Sequence, residues 1–284
     1  MTNTFFWSVR RELWEHKSVW LAPLAVALLV IVAFAIGASG HLEVSGFAQI
    51  PAEKKQLLVV MPFSLSAAIV LLTAFAVGAF YSLDALNAER KDRSILFWKS
   101  MPVSDRTAVL SKAFIPIAVI PAVALAIALA MQLALLGVAA IVLRAKGIEG
   151  GTLYENLPIG GLTATFIYGV FVHALWYAPV YALMLVASVA TRRPFLWIVI
   201  PLVVVQVLEK VAFNTGFTGA FIKYRLLGAM GEAFKSDAMR DPVTQLSQLD
   251  PGRFFAAPGL WLGLVATAAF LFLCIRLRRS KEPL

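Results

Sequence analysis

Six stretches of this chain, at about 19–39, 57–83, 113–143, 162–190, 195–213 and 259–275, are almost uninterrupted apolar sequence. A helix of about 20 residues, rising about 1.5 Å per residue, crosses a hydrocarbon core of roughly 30 Å. Lipid offers no hydrogen bonds, so a segment inside it must pair its own backbone N–H and C=O groups, as an α-helix does. The runs predict an all-α integral membrane protein with six transmembrane helices in a single domain over 1–284. Only 14% of the residues are charged, against about 25% in a soluble domain, and mean hydropathy is +0.82. The first run follows Arg10, Arg11 and Lys17 and precedes small residues at 37–40, as a secretory leader would. Its apolar length exceeds the roughly 7 to 15 residues of a leader, so an uncleaved span is expected.

The formal charge of +9 raises the question of nucleic acid, which the position of the charges answers. With the first residues in the cytoplasm, the inner segments carry fifteen of the 25 Lys and Arg against seven acids, and the outer segments ten against nine. Basic residues favour the cytoplasmic side of short loops, so both termini are expected there. Attraction to anionic lipid then accounts for the excess charge without nucleic acid.

Residues 4–17 have helical periodicity. At about 100° per residue, Phe6, Trp7, Val9, Leu13 and Trp14 share one arc, with Ser8, Arg11, Glu12 and Glu15 opposite. The pattern predicts a helix lying in the inner interface, marked by Arg10, Arg11 and Trp14, with Arg10 and Lys17 reaching lipid phosphates. Two connections are long: the inner loop 84–112, and the outer loop 214–258, which contains a predicted helix over 219–234.

The inner loop places Glu89, Arg90, Lys91, Asp92 and Arg93 before an apolar ridge at 95–98 that ends in Phe97 and Trp98. Pro102 breaks this helix, and Ser104 offers an N-cap for the long helix of the third span. A short amphipathic helix held out from a membrane is a docking element. The sequence here resembles the permease subunits of type-2 ABC exporters. Their pattern after the second span is Glu-Arg, a small polar residue, an apolar patch, a Pro-x-Ser break and a Lys entering the third span. Here these are Glu89-Arg90, Ser94, residues 95–98, Pro102-Val103-Ser104 and Lys112. Arg93-Ser94 stands where the family often has Gly-Thr. The six spans, the N-terminal helix and the large outer loop extend the resemblance over essentially the whole chain.

The resemblance implies a permease that forms the translocation pathway of an ATP-driven exporter in the bacterial plasma (inner) membrane. Two permeases, this chain and a second copy or a similar one, would pair. The inner loop would be a cytoplasmic coupling helix seated in a groove of a separate nucleotide-binding ATPase subunit. Glu89, Arg90, Asp92 and Arg93 would contact that subunit, and Phe97 or Trp98 would fill its groove. ATP and magnesium would be bound by the partner. The chain has no Gly-x-x-x-x-Gly-Lys-Ser/Thr loop to cradle phosphates, is expected to hold no cofactor or metal, and is not expected to be an enzyme by itself.

A polar or ionisable residue inside a span is costly and is a functional candidate by default. Gln132, His173, Gln206 and Glu209 are the candidate pathway residues; Gln206, Glu209 and Lys210 share one helical face. Hydrogen bonding between helices for Gln132 and His173, and an interfacial position for Glu209, are the plainer readings. Pro116, Pro121, Pro179 and Pro201 predict kinks. The single cysteine, Cys274, excludes an internal disulfide, and His16, His41 and His173 lack metal-ligand spacing. A passive channel or scaffold is the competing reading. An intramembrane enzyme is the weaker one, because its chemistry would rest on His173 with no paired carboxylates in the spans.

Overall fold

The computed structural model describes residues 4–41, 52–91, 103–147, 157–235, 243 and 246–280. Six of its helices are long and apolar enough to cross a membrane, as the six runs predict. Helix α1 (Thr4–Glu15) turns at His16 and Lys17 into α2 (Ser18–His41), the first span. The second span is α3 (Ala52–Asp84), followed by the short α4 (Asn87–Lys91). The third begins as α5 (Asp105–Phe114), widens into a π turn at Ile115–Val119 and continues as α6 (Ile120–Ala145). Pro116 and Pro121 bring no N–H to this ladder; across the widened turn Ile120 N donates to Ile115 O.

Ser104 caps α5 as expected, its Oγ accepting from Thr107 N at 3.1 Å. The helix nevertheless starts eight residues before the apolar run at 113. Its first two turns carry Asp105, Arg106, Ser111 and Lys112, which hydropathy reads as loop and the fold uses as helix.

The remaining spans are α7 (Ile159–Ala190), α8 (Pro194–Leu208) and α11 (Pro258–Ser280). A π turn at Glu209–Phe213 ends α8, and Asn214 then adopts the left-handed conformation, φ 48°. Between α8 and α11 come α9 (Phe217–Ala233), close to the predicted 219–234, and α10 (Pro251–Ala256). No strand occurs among the described residues; Phe234 and Leu249 form one isolated bridge.

Helix α3 sits at the centre, against α2, α6 and α7, while α7 also packs along α11. Small residues allow the close approach: Ala67, Ala74 and Gly78 are buried, and a Cβ on Gly78 would lie 2.9 Å from the Tyr181 ring. Helix α8 has no buried residue and presents Phe195, Ile200 and Val203 outward, a surface that lipid chains cover in a bilayer.

The ends of the spans segregate as consecutive crossings require. At one end lie α1, α4, the start of α5 and the ends of α7 and α11, joined by contacts described below. At the other, a second apolar cluster of Trp176, Ala233, Phe234, Phe254 and Leu260 joins α7, α9, α10 and α11.

Candidate functional site: a buried charge cluster

Lys112 stands at the head of the third span's apolar run, and an ammonium cannot remain buried there without partners. The fold supplies two. Lys112 is 3% exposed, and its Nζ lies 2.7 Å from Glu12 Oε1 and 3.3 Å from Glu89 Oε1. Glu12, 2% exposed, also accepts from Tyr81 Oη at 2.7 Å and from Arg11 Nη2 at 2.9 Å. Glu89 is held by Arg278 Nη1 at 2.6 Å, with Arg11 Nη2 at 3.5 Å. Arg278 turns its Nε to Asp105 Oδ1 at 3.1 Å. Three cations, Arg11, Lys112 and Arg278, thus interleave with three carboxylates, Glu12, Glu89 and Asp105. Within this cluster each buried charge has an opposite neighbour, the condition under which such a group is tolerated.

These pairs bind α1, α4, α5 and α11 into one unit across as many as 189 residues of chain. The end of α7 is tied in through the backbone. Ser188 Oγ accepts from Leu86 N at 3.0 Å and Asn87 N at 2.9 Å, satisfying donors at the start of α4. Arg90 Nη1 donates to Val189 O at 2.7 Å. A cavity of about 30 Å³ lies among Arg11, Lys112, Ser111 and Arg278, with polar walls and room for about one or two waters. Glu12, Glu15 and His16 bring ligand-type atoms within 4.8 Å of one another, but both Glu12 oxygens are engaged by Lys112, Arg11 and Tyr81.

Burial alone would raise the Glu12 carboxyl. The charge and hydrogen bond of Lys112, the Tyr81 hydroxyl and Arg11 outweigh it and hold Glu12 below its ordinary value of 4.5. His16, Tyr81, Glu89 and Lys112 are the groups that face it from the turn after α1 and from α3, α4 and α5. A depressed carboxyl contributes stability that is complete above about pH 4.5 and lost as pH falls through the lower folded value. The thermal midpoint of purified protein in detergent is expected to drop below pH 4.5. In Glu12→Gln the midpoint is lower at neutral pH but flatter through the acid range; an equally steep fall in that variant would remove Glu12 as the cause.

Two residues for which the resemblance implies contacts to a partner ATPase lie inside the chain. Glu89 and Arg90 are buried and bound within the chain, because Arg278, Lys112 and the Val189 carbonyl offer partners that the local pattern does not reveal. Asp92, Arg93, Phe97 and Trp98 lie outside the described residues. Arg11 faces the cluster, whereas Arg10 and Trp14 are on the exposed side of α1.

The four candidate pathway residues are not brought together. No hydrogen bond or ion pair among the described residues joins one to another. Gln132 is buried on α6. His173 Nε2 is 2.9 Å from Tyr181 Oη on its own helix, among the rings of Phe75 and Tyr177. Gln206 is exposed. Glu209 caps α9, accepting from Phe217 N, from Thr218 N at 2.9 Å and from Thr215 Oγ1 at 3.0 Å. Its face therefore closes a turn.

The opposite end has its own anchor. Arg225 on α9 stacks 4.8 Å over the Trp176 ring and donates to Trp176 O and, at 3.0 Å, to Gly259 O. Trp176 Nε1 returns a bond to Arg225 O at 2.9 Å, and Tyr177 Oη donates to Leu226 O at 2.6 Å. Neither a protein-family model nor a curated protein matches the chain.

Proposed function

We propose that this chain is the permease subunit of an ATP-driven exporter, worked by a separate ATPase subunit that grips the segment 92–102 from the cytoplasm. The observation that carries the reading is the anchoring of Glu89. Three residues before that segment, its carboxylate is fixed to α1, α5 and α11 by Arg11, Lys112 and Arg278. At the far side of the segment, Asp105 is fixed to the same Arg278. A push on 92–102 therefore reaches both of its ends through charge-assisted bonds and passes to four spans, through α5, α7 and α11 and through α3 by way of α4. In this reading Asp92, Arg93, Phe97 and Trp98 meet the ATPase, while Glu89 and Arg90 transmit force. The chain sits in the bacterial inner membrane with its charge cluster on the cytoplasmic side and pairs with a second permease, and the partner ATPase binds ATP and magnesium.

The test is co-expression with an ATPase subunit of a type-2 exporter, taken from the neighbouring reading frame where that frame encodes one. The expected product contains two copies of each chain, and the Phe97→Ala, Trp98→Ala double variant loses the ATPase. Glu89→Gln retains the ATPase, but the permease no longer alters its hydrolysis rate. Ion conduction by the chain alone in planar bilayers, with no ATPase recovered, would overturn the assignment in favour of a channel.

A further inference from the structure

The exposed side of α1 carries a feature that the charge cluster does not use. Arg10 lies between two indoles, 5.1 Å from the centre of Trp7 and 4.7 Å from that of Trp14. Both tryptophans stand open, at 50% and 63% exposed, and Phe6 beside them is 55% exposed. A guanidinium flanked by ring faces keeps its in-plane N–H donors directed along its edge, where they form a fork matched to two oxygens of a phosphate. Among the described residues Arg10 has no hydrogen bond or ion pair. Lys17, at the turn after α1, is also exposed and unpaired. The two acids of α1 are occupied elsewhere: Glu12 is buried on Lys112, and Glu15 pairs with Arg11 at 3.1 Å. The face is thus cationic, aromatic and apolar together, and it lies where α1 leads into the first span.

We propose that Trp7, Arg10 and Trp14 form a binding site for the headgroup of an anionic phospholipid. The phosphate sits on the guanidinium edge with Lys17 beside it, the indoles lie at the level of the glycerol backbone, and Phe6 enters the acyl region. The choice of a lipid over a soluble anion rests on the apolar surroundings, since Phe6, Trp7, Trp14 and Trp20 would otherwise remain wetted. The opposite face of the same helix carries Glu12 and Arg11, so a headgroup bound at Arg10 steadies the element that closes the charge cluster. This inference holds whether or not the chain is an exporter.

Native mass spectrometry of the full-length protein, titrated with phosphatidylglycerol in mild detergent, tests it. Arg10→Gln is expected to weaken retention of the lipid about fivefold, the effect of one basic group at a membrane surface. Trp7→Leu keeps the apolar anchor and also weakens it, while Arg193→Gln, an exposed basic residue stacked on no ring among the described residues, leaves it within twofold. Thermal midpoints in phosphatidylcholine alone remain at the wild-type value for all three, which separates lost binding from lost structure. Equal weakening by Arg10→Gln and Arg193→Gln would reduce the site to general surface charge. Displacement of the lipid by millimolar inorganic phosphate would make it a soluble-anion site, and either result overturns the proposal.

Discussion

Replacing Lys112 with methionine is expected to destabilise the protein by about 3–5 kcal/mol, the cost of removing one partner from a buried ion pair. The methionine fills similar volume, so the loss comes from charge. Glu12 and Glu89 would then approach each other with only Arg11 between them and Arg278 behind. The informative comparison is the double variant Glu12→Gln, Lys112→Met, which removes one charge of each sign. If the energy lies in the pair, the double variant is more stable than Lys112→Met alone. The double-mutant cycle then returns a coupling well above the few tenths expected of independent sites. The measurement is unfolding of purified protein in detergent followed by circular dichroism. A Lys112→Met midpoint equal to wild type would show that water in the adjacent cavity already screens the pair.

Much of this architecture was legible in the sequence, because a hydrocarbon solvent imposes a length and a composition on each span. The six helices long and apolar enough to span and the cap at Ser104 follow from apolar run length and one hydroxyl before a helix, while the helix expected at 4–17 runs from Thr4 to Glu15 and turns at His16 and Lys17. The cluster was less legible. Lys112 was visible as a charge entering a span, and Glu12 as a member of a polar arc, but nothing local says that residues 100 apart meet. Arg278 lies three residues past the last apolar run and Ser188 inside the fourth, and nothing beside either marks a distant partner. The signal that would have found them is a demand for balance: three cations and three acids beside spans need each other more than they need the loop. Glu209 is a different case: its partners lie only six to nine residues ahead in Thr215, Phe217 and Thr218, and what the sequence leaves unmarked is the tight turn that brings them back to it.

Arg225 should matter almost as much at the other end of the molecule. Arg225 donates from α9 to the Trp176 carbonyl of α7, three residues before Pro179. Its second donor serves Gly259 O at the start of α11. One side chain thus fastens α9 to two spans, and α11 accommodates it by having no side chain at Gly263, where a Cβ would lie 2.5 Å from the guanidinium. Arg225→Ala removes two charge-assisted bonds and the stacking on Trp176, for an expected loss of about 2–4 kcal/mol. Arg225→Lys recovers only part of it, because an ammonium cannot fork to two carbonyls on different helices. Gly263→Leu, which displaces the guanidinium without touching its charge, should reproduce the alanine result. The loss is local to α9, so limited proteolysis within 217–235 should rise in all three variants before the spans unfold. Unchanged cleavage there, with a lowered global midpoint, would mean that Tyr177 and the apolar cluster around Phe254 hold α9 without Arg225.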